Sequence, residues 1–353
     1  MNTVPKKHFF AASNSADGFV NYFSRIFDPI GCRRLYVIRG GPGTGKSSFM
    51  RAVAKRAEEK GLSVVRYFCS SDPESLDGLW IDGVRVGLID GTAPHSWEPT
   101  QIGAFEQTVD LGAFWREQPL IDARERICDL SQKKKQCYEG AYRYLAAYGR
   151  VAEDAFCEIQ PFVKTEKMAR AAARLLAQYA PVSRSAFWET VGLCDSIGMS
   201  GRVRFGAYED PDREHIRICD VGGIGYRFLG ELYRLCRLRG ISVRVSYHPI
   251  LPSYVDAIEL IDHGVTFSLA EGKSEERQIH MKRFIDEEGY RKVRKNRRKS
   301  MRIGEALLLR AEEKLAEAAT HHFLLESIFG SAMDFDAKEQ RQEEFCRFVL
   351  RGV

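Results

Sequence analysis

The sequence predicts an α/β protein in which a parallel sheet flanked by helices occurs twice in tandem, each copy with a helical extension. Three observations support this prediction. Short apolar runs typical of buried strands alternate with runs of helical periodicity. One strand leads through a glycine-rich loop into a helix, and an altered copy of that unit follows later in the chain. The length of 353 residues is about twice that of a common domain, so we place one domain at 1–200 and the other at 201–353.

The composition is that of an ordinary globular protein, with 44% hydrophobic and 29% charged residues. The nine cysteines include no C-x-x-C pair, which argues against zinc and disulfide frameworks and indicates reduced thiols. The net charge of +5 permits an anionic partner without requiring one. No segment has the roughly 18 apolar residues of a membrane helix, and the first residues lack the apolar core of a secretion signal. We therefore expect a cytoplasmic protein with no membrane partner.

The strongest motif is the glycine-rich stretch "RGGPGTGKSS" at 39–48. It fits the pattern G-x-x-x-x-G-K-[ST] from Gly40 to Ser47. The apolar run 33–38 before it predicts a buried strand, and apolar residues at helical spacing after it predict a helix that stops near Gly61. This order brings backbone N–H groups and the positive end of a helix to one anion. The sequence therefore predicts a P-loop that binds a nucleotide.

Each polar residue of the motif has an expected role. Lys46 would reach the β and γ phosphates of ATP as a mobile cation and is a candidate catalytic residue, and Ser47 would offer its hydroxyl to Mg²⁺. Asp90, at the end of the apolar run 84–90, is the expected second magnesium ligand and second catalytic residue. The residues that we expect to contact the nucleotide are Gly40, Gly41, Pro42, Gly43, Thr44, Gly45, Lys46, Ser47 and Ser48.

The base that would activate the attacking water is not identified by the sequence. Many ATPases place an acidic residue directly after the strand-ending aspartate, but Gly91 occupies that position. Asp72, Asp77 and His95 are candidates, and a carboxylate beyond the second predicted strand (63–68) would also suit a kinase that deprotonates an acceptor hydroxyl. The same residues are equally typical of turns.

An internal repeat emerges when the chain is aligned with itself. The loop segment 43–46 matches 223–226, and the helix that follows matches with one residue fewer. The other matched pairs are 8–12 with 204–208, 35–38 with 215–219, 62–64 with 241–243, and 86–91 with 267–272. These matches indicate a tandem duplication.

The second copy has lost the residues that would bind a nucleotide. In this alignment Tyr226 replaces the lysine, Arg227 the magnesium-binding serine and Glu271 the strand-ending aspartate. Without the ammonium and the hydroxyl, tight binding of Mg-ATP is not expected, and we predict a structural or regulatory second half. The alternative is that Arg227 supplies a cation to the first site, like an arginine finger.

Each half ends in a mostly helical stretch, at about 118–180 and 274–350. Basic clusters precede the long helices, and such runs are usually a solvated helix face. The alternative is a paired surface for nucleic acid or another polyanion. His321 and His322 lack nearby ligands in the sequence and are expected to pack within a helix. The basic residues are Lys133, Lys134, Lys135, Arg291, Lys292, Arg294, Lys295, Arg297, Arg298 and Lys299.

Together these segments resemble a bacterial family of poorly characterised proteins with tandem P-loop NTPase-like halves. The resemblance rests on "HFFAASNSADG" (8–18), "GGPGTGKSSFM" (40–50), "YFCSSDPESLDG" (67–78), "LIDGTAPH" (88–95), "LGAFW" (111–115) and "AYRYLAAY" (141–148). It covers most of the first half directly and the second half through the repeat. The resemblance implies ATP binding and ATPase activity. Both halves of that family often keep a lysine-bearing loop, so Tyr226 is a departure that puts a second ATP site in doubt.

From these observations we expect a Mg²⁺-dependent ATPase with one competent site in the first half, in which hydrolysis drives a movement between the two halves. Two alternatives stay open at this point. One is a small-molecule or nucleotide kinase that transfers the γ-phosphate of ATP. The other is a nucleotide-gated polyanion-binding protein with little turnover, which the absence of an acidic residue after Asp90 favours.

Overall fold

The computed structural model describes residues 7–94, 97–180, 186–270 and 277–351. In chain order the first half consists of β1 (Lys7–Phe10), β2 (Ala12–Ser15), β3 (Gly18–Asn21), α1 (Phe23–Ile26), β4 (Arg34–Arg39), α2 (Lys46–Glu59), β5 (Val64–Phe68), β6 (Leu76–Ile81), β7 (Val86–Asp90), β8 (Glu106–Asp110), α3 (Glu117–Asp122), α4 (Arg124–Cys157) and α5 (Thr165–Tyr179). The second half consists of β9 (Glu189–Val191), β10 (Asp195–Gly198), β11 (Gly201–Arg204), β12 (Glu214–Cys219), α6 (Ile224–Arg239), β13 (Val243–Tyr247), β14 (Val255–Leu260), β15 (Val265–Ala270), β16 (Arg277–His280), α7 (Glu287–Ser331) and α8 (Phe335–Val349). Among the described residues, no helix combines the length and the apolarity needed to cross a bilayer.

Each half contains a six-stranded sheet, and the two sheets share one strand order and one set of pairing directions. The first runs β1-β5-β6-β7-β4-β8, and the second, read from the matching edge, runs β9-β13-β14-β15-β12-β16. β6 and β14 pair antiparallel with both of their neighbours, whereas the remaining pairs are parallel. The fold is therefore a repeated α/β organisation whose sheets are mixed rather than wholly parallel.

β6 is a strand that the sequence pattern does not predict. It carries Asp77 and Gly78, and both residue types are poor strand formers. The strand is nevertheless buried between β5 and β7, so tertiary packing outweighs the local preference. β4, β5 and β7 lie where the apolar runs predict strands.

Strand pairing corrects our alignment of the repeat at its start. β1 pairs parallel with β5, and β9 pairs parallel with β13 in the equivalent place. The segment 8–12 therefore corresponds to the chain around β9, and its match with 204–208 is wrong. The match rested only on a short similarity that includes an aromatic residue. It did not take account of the hairpin β2–β3, which follows β1 just as the hairpin β10–β11 follows β9. The second sheet consequently starts inside the range 1–200 that we assign to the first domain.

The helical arms are exchanged between the two halves. α4, with 34 residues, packs along α7, with 45 residues, and buried alanines such as Ala141, Ala152 and Ala311 allow the two helices to approach closely. The chain then continues from α4 into α5, which packs on α6 of the second half, and from α7 into α8, which packs on α2 of the first half. Each half thus supplies a helix that covers the other.

One hydrophobic core continues through both halves. Phe10 stacks on Phe205 with ring centroids 4.5 Å apart, and Phe10 and Leu193 exchange backbone hydrogen bonds of 2.9 and 3.0 Å. Phe345 of α8 packs edge-on against Tyr36 of β4 at 4.8 Å. Burial of apolar surface stabilises a fold by about 25 cal/mol per Å², so this shared core holds the two halves together.

Candidate functional site

The first glycine loop (40–47) joins β4 to the first turn of α2. Gly43 and Gly45 take φ values of +72° and +77°, which L side chains rarely adopt. A Cβ atom at Gly43 would also lie 2.4 Å from the carbonyl oxygen of Glu326. Glycine is therefore required at Gly43 both by the backbone conformation and by the close approach of α7.

The first glycine loop ends at the N-terminus of α2, a 14-residue helix that begins at Lys46. The first N–H groups of a helix have no partner within the helix, and the helix dipole makes this end positive. The first turn of α2 contains no acidic side chain that would neutralise it. The local structure is therefore suited to an anion, as the sequence predicts.

The ammonium of Lys46 lies across the loop. Its Nζ donates hydrogen bonds to the carbonyl oxygens of Gly40 at 3.0 Å and Gly41 at 2.9 Å. The same atom lies 3.5 Å from Oδ2 of Asp90, and both side chains are only 12% exposed. The structure thus brings together the two residues that the sequence predicts to be catalytic.

Asp90 is held at the end of β7 by Thr92, a residue that the sequence analysis did not single out. The backbone N–H of Thr92 donates to Oδ1 of Asp90 at 2.8 Å, and its hydroxyl donates to the carbonyl oxygen of Gly40 at 2.7 Å. Thr92 therefore ties the strand-end carboxylate to the first glycine loop. The sequence feature that could have identified Thr92 is its position two residues after a strand-ending aspartate, where Asx turns form.

The two serines of the motif have different partners. The hydroxyl oxygen of Ser47 accepts a hydrogen bond from the backbone of Leu76 at 3.0 Å, so its proton and a second lone pair are left for other partners. Ser48 donates to the Gly45 carbonyl at 2.8 Å and accepts from Nζ of Lys338 at 3.0 Å. Ser47 therefore suits a metal ligand, whereas the hydroxyl of Ser48 is engaged in attaching α8.

Residues of the second half cover one side of the first glycine loop. The backbone of Glu326, near the end of α7, touches Gly43. Lys338, which bonds to Ser48, is 3% exposed, and burial lowers its pKa. Because Lys338 and Ser48 are 290 positions apart in the chain, no local sequence signal could have placed them together.

Charged side chains of both arms interact near Lys46. Oε1 of Glu326 lies 3.5 Å from Nε2 of His322. The hydrogen bond from His322 lowers the pKa of Glu326, and the positive charges of Lys46 and Lys134 act in the same direction. Burial lowers the pKa of Lys134, and Glu326 opposes that shift. His322, which we expected only to pack within a helix, therefore also orients a carboxylate beside the site.

Two of the base candidates drawn from the sequence, Asp72 and Asp77, lie in the segment whose Leu76 backbone bonds to Ser47 of the first glycine loop. The carboxylate of Asp72 accepts a hydrogen bond from the hydroxyl of Ser75 at 2.6 Å and shapes a turn. Asp77 is buried at the start of β6, and burial, together with Asp77, raises the pKa of Cys69 well above its ordinary value. His95 lies outside the described residues.

The second glycine loop (220–223) is shorter than the first, and a carboxylate of the loop itself bonds to its backbone N–H groups. It has four residues between β12 and α6, against six between β4 and α2. The carboxylate of Asp220 accepts hydrogen bonds from the backbone of Gly223 at 2.8 Å and of Gly225 at 2.6 Å. This carboxylate therefore satisfies the N-terminus of α6, where a phosphate would otherwise bind.

Strand register also corrects the counterpart of Asp90. Ile38 and Ile218 occupy equivalent positions in β4 and β12. In the strand register Ile38 pairs with Asp90, and Ile218 pairs with Leu269. Leu269 rather than Glu271 therefore occupies the position in the second half that corresponds to Asp90. Glu271 itself lies outside the described residues.

Tyr226 and Arg227 contact the arm that covers the second glycine loop. Tyr226 packs against Phe156 and Tyr254, with ring centroids 5.9 and 5.8 Å away. Arg227 donates a hydrogen bond to Gln160, which follows α4. This contact gives Arg227 a partner beside the second loop and provides no link to the first glycine loop.

The first glycine loop thus combines unpaired helix N–H groups, a lysine ammonium and a strand-end carboxylate. This set suits a ligand that carries phosphate together with a divalent cation. The second glycine loop lacks the ammonium and the strand-end carboxylate, and its own Asp220 occupies the anion position. No family model, curated protein or solved structure matches the chain.

Proposed function

We propose that the chain is a Mg²⁺-dependent ATP-binding protein that hydrolyses ATP at the first glycine loop. The observation that carries this proposal is the position of Lys46. Its ammonium, at the N-terminus of α2, donates to two loop carbonyls and lies 3.5 Å from Asp90. An entering phosphate would replace these neutral acceptors by charged oxygens, which form stronger hydrogen bonds.

The residues of the loop fit a magnesium-bound triphosphate. The N–H groups at the start of α2 would hold phosphate oxygens, and Lys46 would neutralise charge on the γ-phosphate. Ser47 and Asp90 would hold Mg²⁺, since one carboxylate oxygen of Asp90 is fixed by Thr92 while the other faces Lys46. When bound, Mg²⁺ supplies charge neutralisation for phosphoryl transfer.

Glu326 is our candidate for the group that orients the attacking water. It supplies an acidic side chain that the sequence after Asp90 lacks. The lowered pKa of Glu326, caused first by His322, keeps the side chain ionised at neutral pH. Its interaction with Lys46 and its backbone contact with Gly43 put it beside the loop from the opposite half.

The same reasoning gives one nucleotide site per chain. The Asp220 carboxylate already occupies the N–H groups of the second glycine loop, and Leu269 offers no ligand to a metal. The second half would therefore serve the first by supplying α7 and α8, which cover the first glycine loop.

The kinase alternative is less favoured, because both carboxylate oxygens of Asp72 accept hydrogen bonds within a turn, from Glu74 and Ser75. A binding protein with little turnover differs from an ATPase only in the rate of phosphate release. Measuring ATP binding and phosphate release on the same preparation separates these two functions.

The test is phosphate release from Mg-ATP by the purified chain, with binding of a fluorescent ATP analogue measured in parallel. Lys46→Ala should abolish both signals. Tyr226→Phe, which keeps the ring in its aromatic cluster, is the matched control and should change neither. Binding without release in the unmodified protein would favour the binding protein, and absence of binding would overturn the proposal.

A further inference from the structure

The two basic clusters of the arms differ in how their charge is balanced. In α4, Lys133 pairs with Asp129 at 2.8 Å and Lys135 with Glu139 at 3.9 Å, each one helical turn away. Lys134 is half-buried and interacts with Glu326. The α4 cluster is therefore neutralised by the protein itself and is not a free cationic surface.

The cluster in α7 is not neutralised. Six exposed cations line one shallow groove along the helix and define what we call the basic stripe: Arg291, Arg294, Lys295, Arg298, Lys299 and Arg302. Spacings of three and four residues place them on one helix face. Within the described ranges, none of the six forms an ion pair with a carboxylate. Two acidic residues of the same helix pair elsewhere, Glu287 with Lys282 and Glu305 with Arg202.

Arg297, in the middle of this cluster, has a different role. It is 7% exposed and donates to the carbonyl oxygens of Ala155 at 2.6 Å and Gly222 at 3.0 Å. It therefore anchors α7 to α4 and to the second glycine loop. This anchoring fixes which face of α7 carries the basic stripe.

We propose that the basic stripe binds the phosphate backbone of double-stranded nucleic acid. From Arg291 to Arg302 the helix rises about 16 Å at 1.5 Å per residue, which matches on the order of five phosphates at 3.4 Å per nucleotide of one strand. Like charges on one helix face repel one another, so a polyanion relieves a cost that the protein carries alone. One aromatic side chain, Tyr290, lines the adjoining groove with Arg294 and Arg298, but it is partly buried and Arg297 lies over its ring. Single strands instead bind by stacking bases on successive aromatic side chains, so the site suits a duplex better.

An anionic membrane is the less suitable partner. A helix that lies in a membrane surface inserts an apolar face beside its cationic one. The apolar face of α7 is occupied, because Leu308, Ala311 and Leu315 are buried against α4. Met301 and Ile303 are exposed on the same helix, but they are separate side chains rather than the continuous apolar face that a membrane-bound helix inserts.

The test is fluorescence anisotropy with DNA duplexes of about 20 base pairs in two unrelated sequences and with an RNA duplex, all without nucleotide. Arg294→Glu/Arg298→Glu should weaken duplex binding about tenfold or more. It should also reduce the slope of log affinity against log salt by about 2, at 0.9 per phosphate contact. Lys133→Glu/Lys135→Glu changes the net charge by the same amount and should leave affinity within about twofold. The two DNA sequences should bind equally, and the RNA arm identifies which duplex is preferred.

Three results would overturn the proposal. The first is no duplex binding by the unmodified protein at about 50 mM salt, where phosphate contacts are strong. The second is an equal loss in the two double variants, which would indicate general charge attraction. The third is binding to phosphatidylserine vesicles with no binding to any duplex. Since no nucleotide is present, none of these outcomes depends on the proposed ATPase activity.

Discussion

Replacing Asp220 tests whether the second glycine loop holds an internal anion. Its carboxylate accepts two backbone hydrogen bonds at the start of α6, from Gly223 and Gly225. Loss of one such capping interaction costs about 1 kcal/mol and up to about 2. Two bonds, together with the lost attraction between the carboxylate and the helix dipole, give an expected loss of about 2–3 kcal/mol in the free energy of unfolding for Asp220→Ala.

Urea denaturation followed by circular dichroism measures this loss. With an m-value of about 3 kcal/mol per M, the midpoint should fall by about 0.7–1 M. Asp286→Ala is the matched control, because Asp286 caps α7 through one bond, to Gly289 at 3.1 Å, and should lose about 1 kcal/mol. If Asp220→Ala lowers the free energy of unfolding by no more than the control does, the carboxylate does not fill the anion position and the reasoning is refuted.

Three further predictions concern the two halves and their junction. Gly43→Ala should lower the free energy of unfolding by about 1–3 kcal/mol in urea titrations, because φ is +72° and a Cβ would meet Glu326; an unchanged midpoint would contradict this. Glu326→Gln should keep ATP binding but slow phosphate release at least about tenfold, whereas full activity would remove Glu326 from the mechanism. Burial, with the Asp195 carboxylate, raises the pKa of Asp256 to about 7 from an ordinary 3.8. The folded chain thus keeps a proton that the unfolded chain releases, so this stability is present below about pH 4 and is lost as the pH rises through 7. Asp256→Asn should flatten that decline in urea titrations between pH 5 and 8, and an unaltered pH dependence would contradict the shift.

Structure that depends on neighbouring residues was predictable from the sequence. The order strand, glycine loop and helix at β4 and α2 is specified by consecutive residues. The end of β7 at Asp90 followed from an apolar run that stops at a carboxylate. These elements are confirmed because local pattern and tertiary packing agree there.

What the sequence could not supply depends on distant contacts. The exchange of α5 and α8 between the halves is decided by which apolar faces meet. It places Lys338 of α8 at the first glycine loop, and the last turns of α7 place Glu326 there. The counterpart of Asp90 was assigned wrongly because similarity of short segments does not fix strand register, which the pairing of Ile218 with Leu269 does. Asp220 escaped notice because its function lies in two backbone hydrogen bonds rather than in a motif.

The measurement that tests the central claim most directly is the stoichiometry of ATP binding by equilibrium dialysis in the presence of Mg²⁺. One competent site predicts one ATP per chain in the unmodified protein and in Tyr226→Phe, and none in Lys46→Ala. Two ATP molecules per chain, or one that persists in Lys46→Ala, would contradict the claim.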